Sequence, residues 1–160
     1  MLHMEDGRGG EAGVEFGASC GRGDLRRRLP PALAERVVLR LEHLPEEERA
    51  ILRSVFVDNR AVKELAPLAG SSERVLRRKV KRALSRVLGA RFSFVLERRA
   101  SWTVTRRRIA TLHYIDGMSV RETAARTGLS LHAVRRHRDA IEAIFDAEHG
   151  GPARFRRVRG

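Results

Sequence analysis

The chemistry most plainly written into this 160-residue chain is that of the guanidinium group. Arginine is planar, permanently charged and able to donate two parallel hydrogen bonds, either to the O6/N7 edge of guanine or to a phosphate. Two arginine pairs, Arg77/Arg78 and Arg135/Arg136, stand 58 residues apart, each inside a stretch whose apolar residues recur at helical spacing. Around the first pair lie Arg74, Lys81 and Arg82, all off the stripe made by Leu76, Val80, Ala83, Leu84 and Val87. One side of such a helix packs and the other is left for a groove. The matching positions around the second pair are His132 and Asp139, with Arg138 intruding where the first has Val80. Asp139 is the wrong charge for phosphate, so the second helix is expected to bind more weakly or to read bases more selectively. The candidate contacts are therefore Arg74, Arg77, Arg78, Lys81, Arg82, His132, Arg135 and Arg136, and the partner they imply is double-stranded DNA.

Other chemistries find less support. His132 and His137 are five apart, do not share a helix face, and lack a Cys or acid to complete a set, so no metal site is expected. Cys20 is the single cysteine, which excludes an internal disulfide framework and a multi-cysteine zinc site. Glu46, Glu47 and Glu48 are adjacent carboxylates at a helix start, where they complement the helix dipole more simply than they do acid–base work. There is no P-loop, nucleophile elbow or spaced carboxylate cluster. We expect neither catalysis nor a cofactor.

Charge distribution supports a polyanionic partner. The chain has 33 Lys plus Arg against 20 Asp plus Glu, a formal net charge of +13. The stretch Glu73 to Arg91 holds eight basic residues and one acid, and Arg154, Arg156, Arg157 and Arg159 close the chain without an acid. A localised excess of this kind attracts phosphate. Met1 to Gly10 carries Glu5 and Asp6 and lacks a signal-type apolar run, and no stretch approaches the roughly 20 apolar residues of a bilayer span. A cytoplasmic, nucleoid-associated protein with no membrane partner is the expectation.

The elements that must position these arginines are helices. Seven of the 14 glycines precede residue 24, where no apolar periodicity survives, so residues 1–29 read as a disordered leader. Pro30 and Pro31 suit the first turn of a helix, and Leu33, Val37, Val38, Leu41 and Leu44 continue it to Pro45. Shifting the chain by 58 residues lays Arg49 onward over Arg107 onward without a gap, pairing Asp58 with Asp116, Ala66 with Ala124, Gly70 with Gly128 and Ser72 with Ser130. Each copy runs short helix, Gly turn, Ser, long basic helix, which is a helix-turn-helix order. Ser119 and Glu122 form a capping box and Gly128 suits a left-handed helix end. In the first copy Ala61 replaces the capping Ser and Pro67 lies inside the short helix, which should be distorted or short. No segment sustains strand alternation, so the fold class is all-α with two tandem helix-turn-helix units, at 30–90 and 91–149, joined by a segment around Gly89 to Ser101 and followed by a basic tail at 150–160.

HLPEEERAILRSVFVDNRAVKELAPLAGSSERVLRRKVKRALSRVL resembles region four of bacterial RNA polymerase sigma factors, with its Leu-Pro, acidic residues, apolar helix, short helix ending in Gly and basic helix. SVRETAARTGLSLHAVRRH is similar to the core of the same pattern, and both are more loosely similar to the LuxR-type helix-turn-helix. The resemblance implies a sequence-specific transcription regulator that binds promoter DNA, with RNA polymerase as a further candidate partner. No aromatic-rich sequence of the region-two type accompanies it, so the clamp-binding and DNA-melting roles of region two are not implied. Two alternatives stay open on the residues: a DNA-targeting subunit or fragment of a transposase or phage packaging enzyme, and a module that docks on RNA polymerase.

Overall fold

Proline begins the first helix, as its fixed φ allows. A computed structural model describes residues 29–150; the Gly-rich leader before Leu29, Cys20 and the arginines of the tail lie outside the described residues. Helix α1, Pro31–Arg40, has Pro31 in its first turn and gives way to a 3-10 turn at Leu41–His43. It is thus shorter than the apolar spacing through Leu44 suggests. Leu44 precedes Pro45, which excludes the helical region, and it lies extended at φ −87°, ψ 153°. The tightened turn still buries Leu41 and Leu44, whereas Val38 is left exposed because its neighbour Val37 takes the core position.

Helix α2, Glu46–Phe56, carries its three glutamates in the first turn and buries Leu52, Val55 and Phe56. Helix α3, Val62–Leu68, and helix α4, Glu73–Leu88, complete the first unit. The segment expected to join the units is itself helical: α5, Ala90–Arg98, buries Phe92, Phe94 and Val95, and a 3-10 turn follows at Arg99–Ser101. Arginines at 91, 98 and 99 dilute its apolar pattern in the sequence. Helix α6, Val104–Ala110, runs into a π turn at Thr111–Ile115, then come α7, Val120–Thr127, and α8, Leu131–Glu148. No strand occurs among the described residues, and none of their helices is long and apolar enough to cross a membrane.

Element bounds repeat over a longer stretch than the residue identities do. The 3-10 turn at Leu41–His43 returns at Arg99–Ser101, and α1 ends at Arg40 where α5 ends at Arg98, both with the shift of 58. Each unit therefore comprises a leading helix, a 3-10 turn and three further helices.

The two units share one hydrophobic core. Val37, Leu52, Leu76 and Val87 from the first unit, Phe92 and Val95 from α5, and Ile115, Ile141 and Phe145 from the second form a continuous buried cluster. Phe94 packs edge-on to Phe145, with ring centroids 5.3 Å apart, and lies 5.8 Å from Trp102. Polar ties reinforce α5 against α8: Arg91 donates to Glu142 at 2.8 Å, and Arg98 pairs with Glu148 at 2.9 Å. The Tyr114 hydroxyl donates to the same Glu142 at 2.8 Å. A second, smaller cluster of Ile109, Ala124 and Val134 holds α6, α7 and α8 together, with Val120 and Leu129 against it.

Candidate nucleic-acid interface

The second unit builds its turn with capping groups at both helix starts. Ser119 Oγ accepts from the Glu122 N–H at 3.2 Å while Glu122 Oε2 accepts from the Ser119 N–H at 2.7 Å, a reciprocal capping box. The hydrogen bonds from Ser119 hold the Glu122 carboxyl below its ordinary pKa. Gly128 ends α7 at φ +72°, a conformation that costs a side-chain-bearing residue about 1–2 kcal/mol. Ser130 Oγ then accepts from the Ala133 N–H at 3.1 Å and opens α8. Ala124 and Val134, both buried, set how closely α7 and α8 cross.

The first unit does the same work with one part missing. Gly70 takes φ +57° and Ser72 Oγ accepts from the Val75 N–H at 3.3 Å. Ala61 has no hydroxyl, so only the return half of the box exists, Glu64 Oε2 accepting from the Ala61 N–H at 3.3 Å. With Pro67 inside it, α3 is one residue shorter than α7.

On α4 all five residues of the apolar stripe, Leu76, Val80, Ala83, Leu84 and Val87, are buried. Arg74, Arg78 and Arg82 are exposed opposite them, and Lys81 is half-buried on the same side. Arg77 turns away from that face: it is ion-paired with Glu73 one turn earlier, and its side chain is 18% exposed. Successive helical residues lie about 100° apart, so Arg77 and Arg78 do not act as one bidentate unit. Arg82 faces a cleft that also contains Glu47, Asp116 and Gly117. On the flank, Lys79 pairs with Glu47 at 2.9 Å and Arg86 with Glu48.

On α8, His132, Arg135 and Arg136 are exposed. Arg138 occupies the register of the buried Val80, yet its guanidinium turns out to Asp139, whose Oδ1 accepts from Arg138 Nη2 at 2.9 Å. Asp139 is therefore balanced by its neighbour, and the repulsion expected of it toward phosphate is reduced.

Four basic side chains on the two shorter helices of this unit escape the sequence pattern. Arg107, Arg108, Arg121 and Arg126 are all exposed. Arg108 Nη2 donates to the Arg126 carbonyl at 3.1 Å, in the last turn of α7, where a cation is favoured by the helix dipole. Arg107, Arg121, Arg126, Arg135 and Arg136 make no ion pair among the described residues. The run Arg106-Arg107-Arg108 is the signal in the sequence that points to Arg107 and Arg108; Arg121 and Arg126 stand singly on α7. At the equivalent positions of the first unit stand Arg49, Ala50, Lys63 and Leu68, and Leu68 is 74% exposed.

No group of three or more His, Cys, Asp or Glu that could hold a metal ion occurs among the described residues. Comparison with known proteins assigns one segment: residues 103–138 match the family model described as sigma-70, region 4. The match begins at the cap of α6 and ends inside α8, so it covers α6, α7 and the first part of α8. This segment is a sigma region-four-like helix-turn-helix, a DNA-binding, transcription-related class. No curated protein and no solved structure matches the chain.

Proposed function

We propose that the protein is a sequence-specific duplex-DNA-binding regulator of transcription that uses both helix-turn-helix units and catalyses no reaction. The observation that carries this reading is the capped turn between α7 and α8, which presents Arg135 and Arg136 to solvent inside a segment of the sigma region-four type. The same arrangement stands in the first unit at the same sequence shift, with Arg74 and Arg78 on the outer face of α4. In each unit the longer helix enters the major groove while the shorter helix braces it on the backbone. Selection of bound sequences from random duplex DNA tests it: the wild type should enrich a defined sequence. Arg135→Ala plus Arg136→Ala should relax preference at one part of that sequence, with binding weakened by about 1–3 kcal/mol for each guanine no longer recognised. Enrichment of no sequence would overturn the reading.

A second reading, docking of the first unit on RNA polymerase, is supported by Leu68, an exposed apolar residue where the second unit has Arg126. Polymerase binding that survives Arg74→Ala plus Arg78→Ala but is abolished in Leu68→Asp would favour it.

A further inference from the structure

Arg86 is one point at which a charged side chain of the first unit meets the second. It lies on α4, its side chain is 16% exposed, and its guanidinium is ion-paired with Glu48 of α2. From the other side the connection between the π turn and α7 comes down on it. Gly117 there has φ +73°, and a Cβ at that position would fall inside the guanidinium, so the backbone of the second unit rests directly on the side chain. Asp116 beside it is half-buried; burial pushes its carboxyl up, and the Arg86 charge works against that rise. Arg86 Nε is buried without a hydrogen-bond partner, so Glu48 and packing hold the group.

This joint is not part of the repeat. The counterpart of Arg86 in the second unit is Ile144 and that of Glu48 is Arg106, so the ion pair, which lies within the first unit, has no equivalent in the second. The counterpart of Gly117 is Asn59, which also has positive φ, +61°. The bend therefore belongs to both units, but only at Gly117 does a neighbouring side chain require the missing Cβ. Below the joint, α5, the leading helix of the second unit, places Phe92 and Val95 in the common core and is tied to α8 through Arg91 and Arg98. A flexible linker would leave two readers free to find half-sites at many separations; a shared core, with the second unit's backbone seated on a half-buried, ion-paired guanidinium of the first, does not.

We infer that Arg86 is a positioning residue that fixes α4 relative to α8, so that the protein reads a two-part DNA site with one permitted spacer. The inference rests on the reading that both helices contact duplex DNA. A rigid pair gains effective concentration only at the matching separation, and the gain for linked sites is about 10²- to 10⁴-fold. Inserting about five base pairs rotates one half-site by half a helical turn and forfeits it.

The test uses the full chain and the two half-sites recovered by selection, presented at the recovered spacing, with about five base pairs inserted, and singly. Wild type should bind the altered spacing at least about 100-fold more weakly than the native one. Arg86→Met should bind each single half-site as wild type does while losing most of that discrimination. Gly117→Ala, which displaces the guanidinium but keeps both charges, should do the same and decides the matter if the first variant fails to fold. A merely structural role would weaken all duplexes together and leave the spacer discrimination intact. Spacer-indifferent binding by wild type, or wild-type discrimination in the folded variants, would overturn the inference while leaving DNA recognition standing. Failure to recover any half-site would remove the DNA reading itself, and this inference with it.

Discussion

The two units are built on one plan but deploy their positive charge differently. The first gathers Arg74, Arg78, Lys81 and Arg82 along one face of α4, while Arg77, Lys79 and Arg86 on the same helix are engaged by Glu73, Glu47 and Glu48. The second exposes Arg135 and Arg136 on α8, where Arg138 is engaged by Asp139, but adds exposed arginines at 107, 108, 121 and 126 on the helices that support it. A basic stripe confined to one helix suits a single groove; cations spread over three helices surround it and reach phosphates on either side. Charge counted along the sequence favours the first unit as the stronger binder. Charge counted by its partners brings the units much closer together, and the family match falls on the second.

The largest effect that could break this comparison lies in the core rather than in the charges. If the units were independent domains, a lesion in α5 would leave the first untouched. Because Phe92 is 1% exposed in a cluster drawn from both units, Phe92→Ala should cost about 3–5 kcal/mol and lower one common melting transition. Calorimetry resolving two transitions, only one of them shifted, would separate the units again.

The next effect concerns the arginines. Arg78→Ala should weaken binding to the selected site by about 1–3 kcal/mol, and Arg77→Ala by clearly less, since Glu73 already holds the Arg77 guanidinium. In the second unit, Arg107→Ala, Arg121→Ala and Arg126→Ala together should leave sequence preference unchanged. They should flatten the plot of log affinity against log salt, by about 0.9 for each phosphate that the variant no longer neutralises. Equal effects for Arg77 and Arg78, or an unchanged salt slope in the triple variant, would mean that the partners seen in the folded chain do not decide which cations meet DNA.

What could be read in advance divides along physical lines. The stripe on α4, the left-handed glycines at 70 and 128, the serine caps at 72, 119 and 130, and the all-helical class were all legible. Each depends on residues within one or two turns of one another. The helical nature of residues 90–98 was not, because Phe92, Phe94 and Val95 are interleaved with arginine and serine and acquire their meaning only when α8 supplies Phe145 and Glu142 from about fifty positions away. The role of Arg86 was hidden for the same reason. On a helical wheel it is one more basic residue; only Glu48 and Gly117, brought from opposite directions, distinguish it from Arg82. Arg77 shows the reverse case: its place in a pair puts it among the candidate contacts, while an acid on its own helix engages its guanidinium.

The smallest effect is also the cleanest comparison of the units, because it alters one cap and no groove contact. Ala61 already has the extended backbone of a helix cap, φ −73° and ψ 144°, close to the −64° and 164° of Ser119. Glu64 already returns a hydrogen bond to the cap N–H, at 3.3 Å against 2.7 Å for Glu122 in the second unit. What α3 lacks is a side-chain acceptor for its own third amide. Ala61→Ser should supply it and stabilise the chain by about 0.5–1 kcal/mol, while Ser119→Ala should cost a similar amount. The second unit's cap also carries a pH signature. Because hydrogen bonding from Ser119 depresses the Glu122 pKa in the folded state, its contribution is complete above the ordinary carboxylate range and is lost as pH falls through the depressed value. Ser119→Ala should therefore lose more stability at neutral pH than in acid, measured by denaturant unfolding at both. If Ala61→Ser leaves stability unchanged, Pro67 rather than the missing cap is what limits the first unit's short helix, and Pro67→Ala becomes the substitution that brings the two units level.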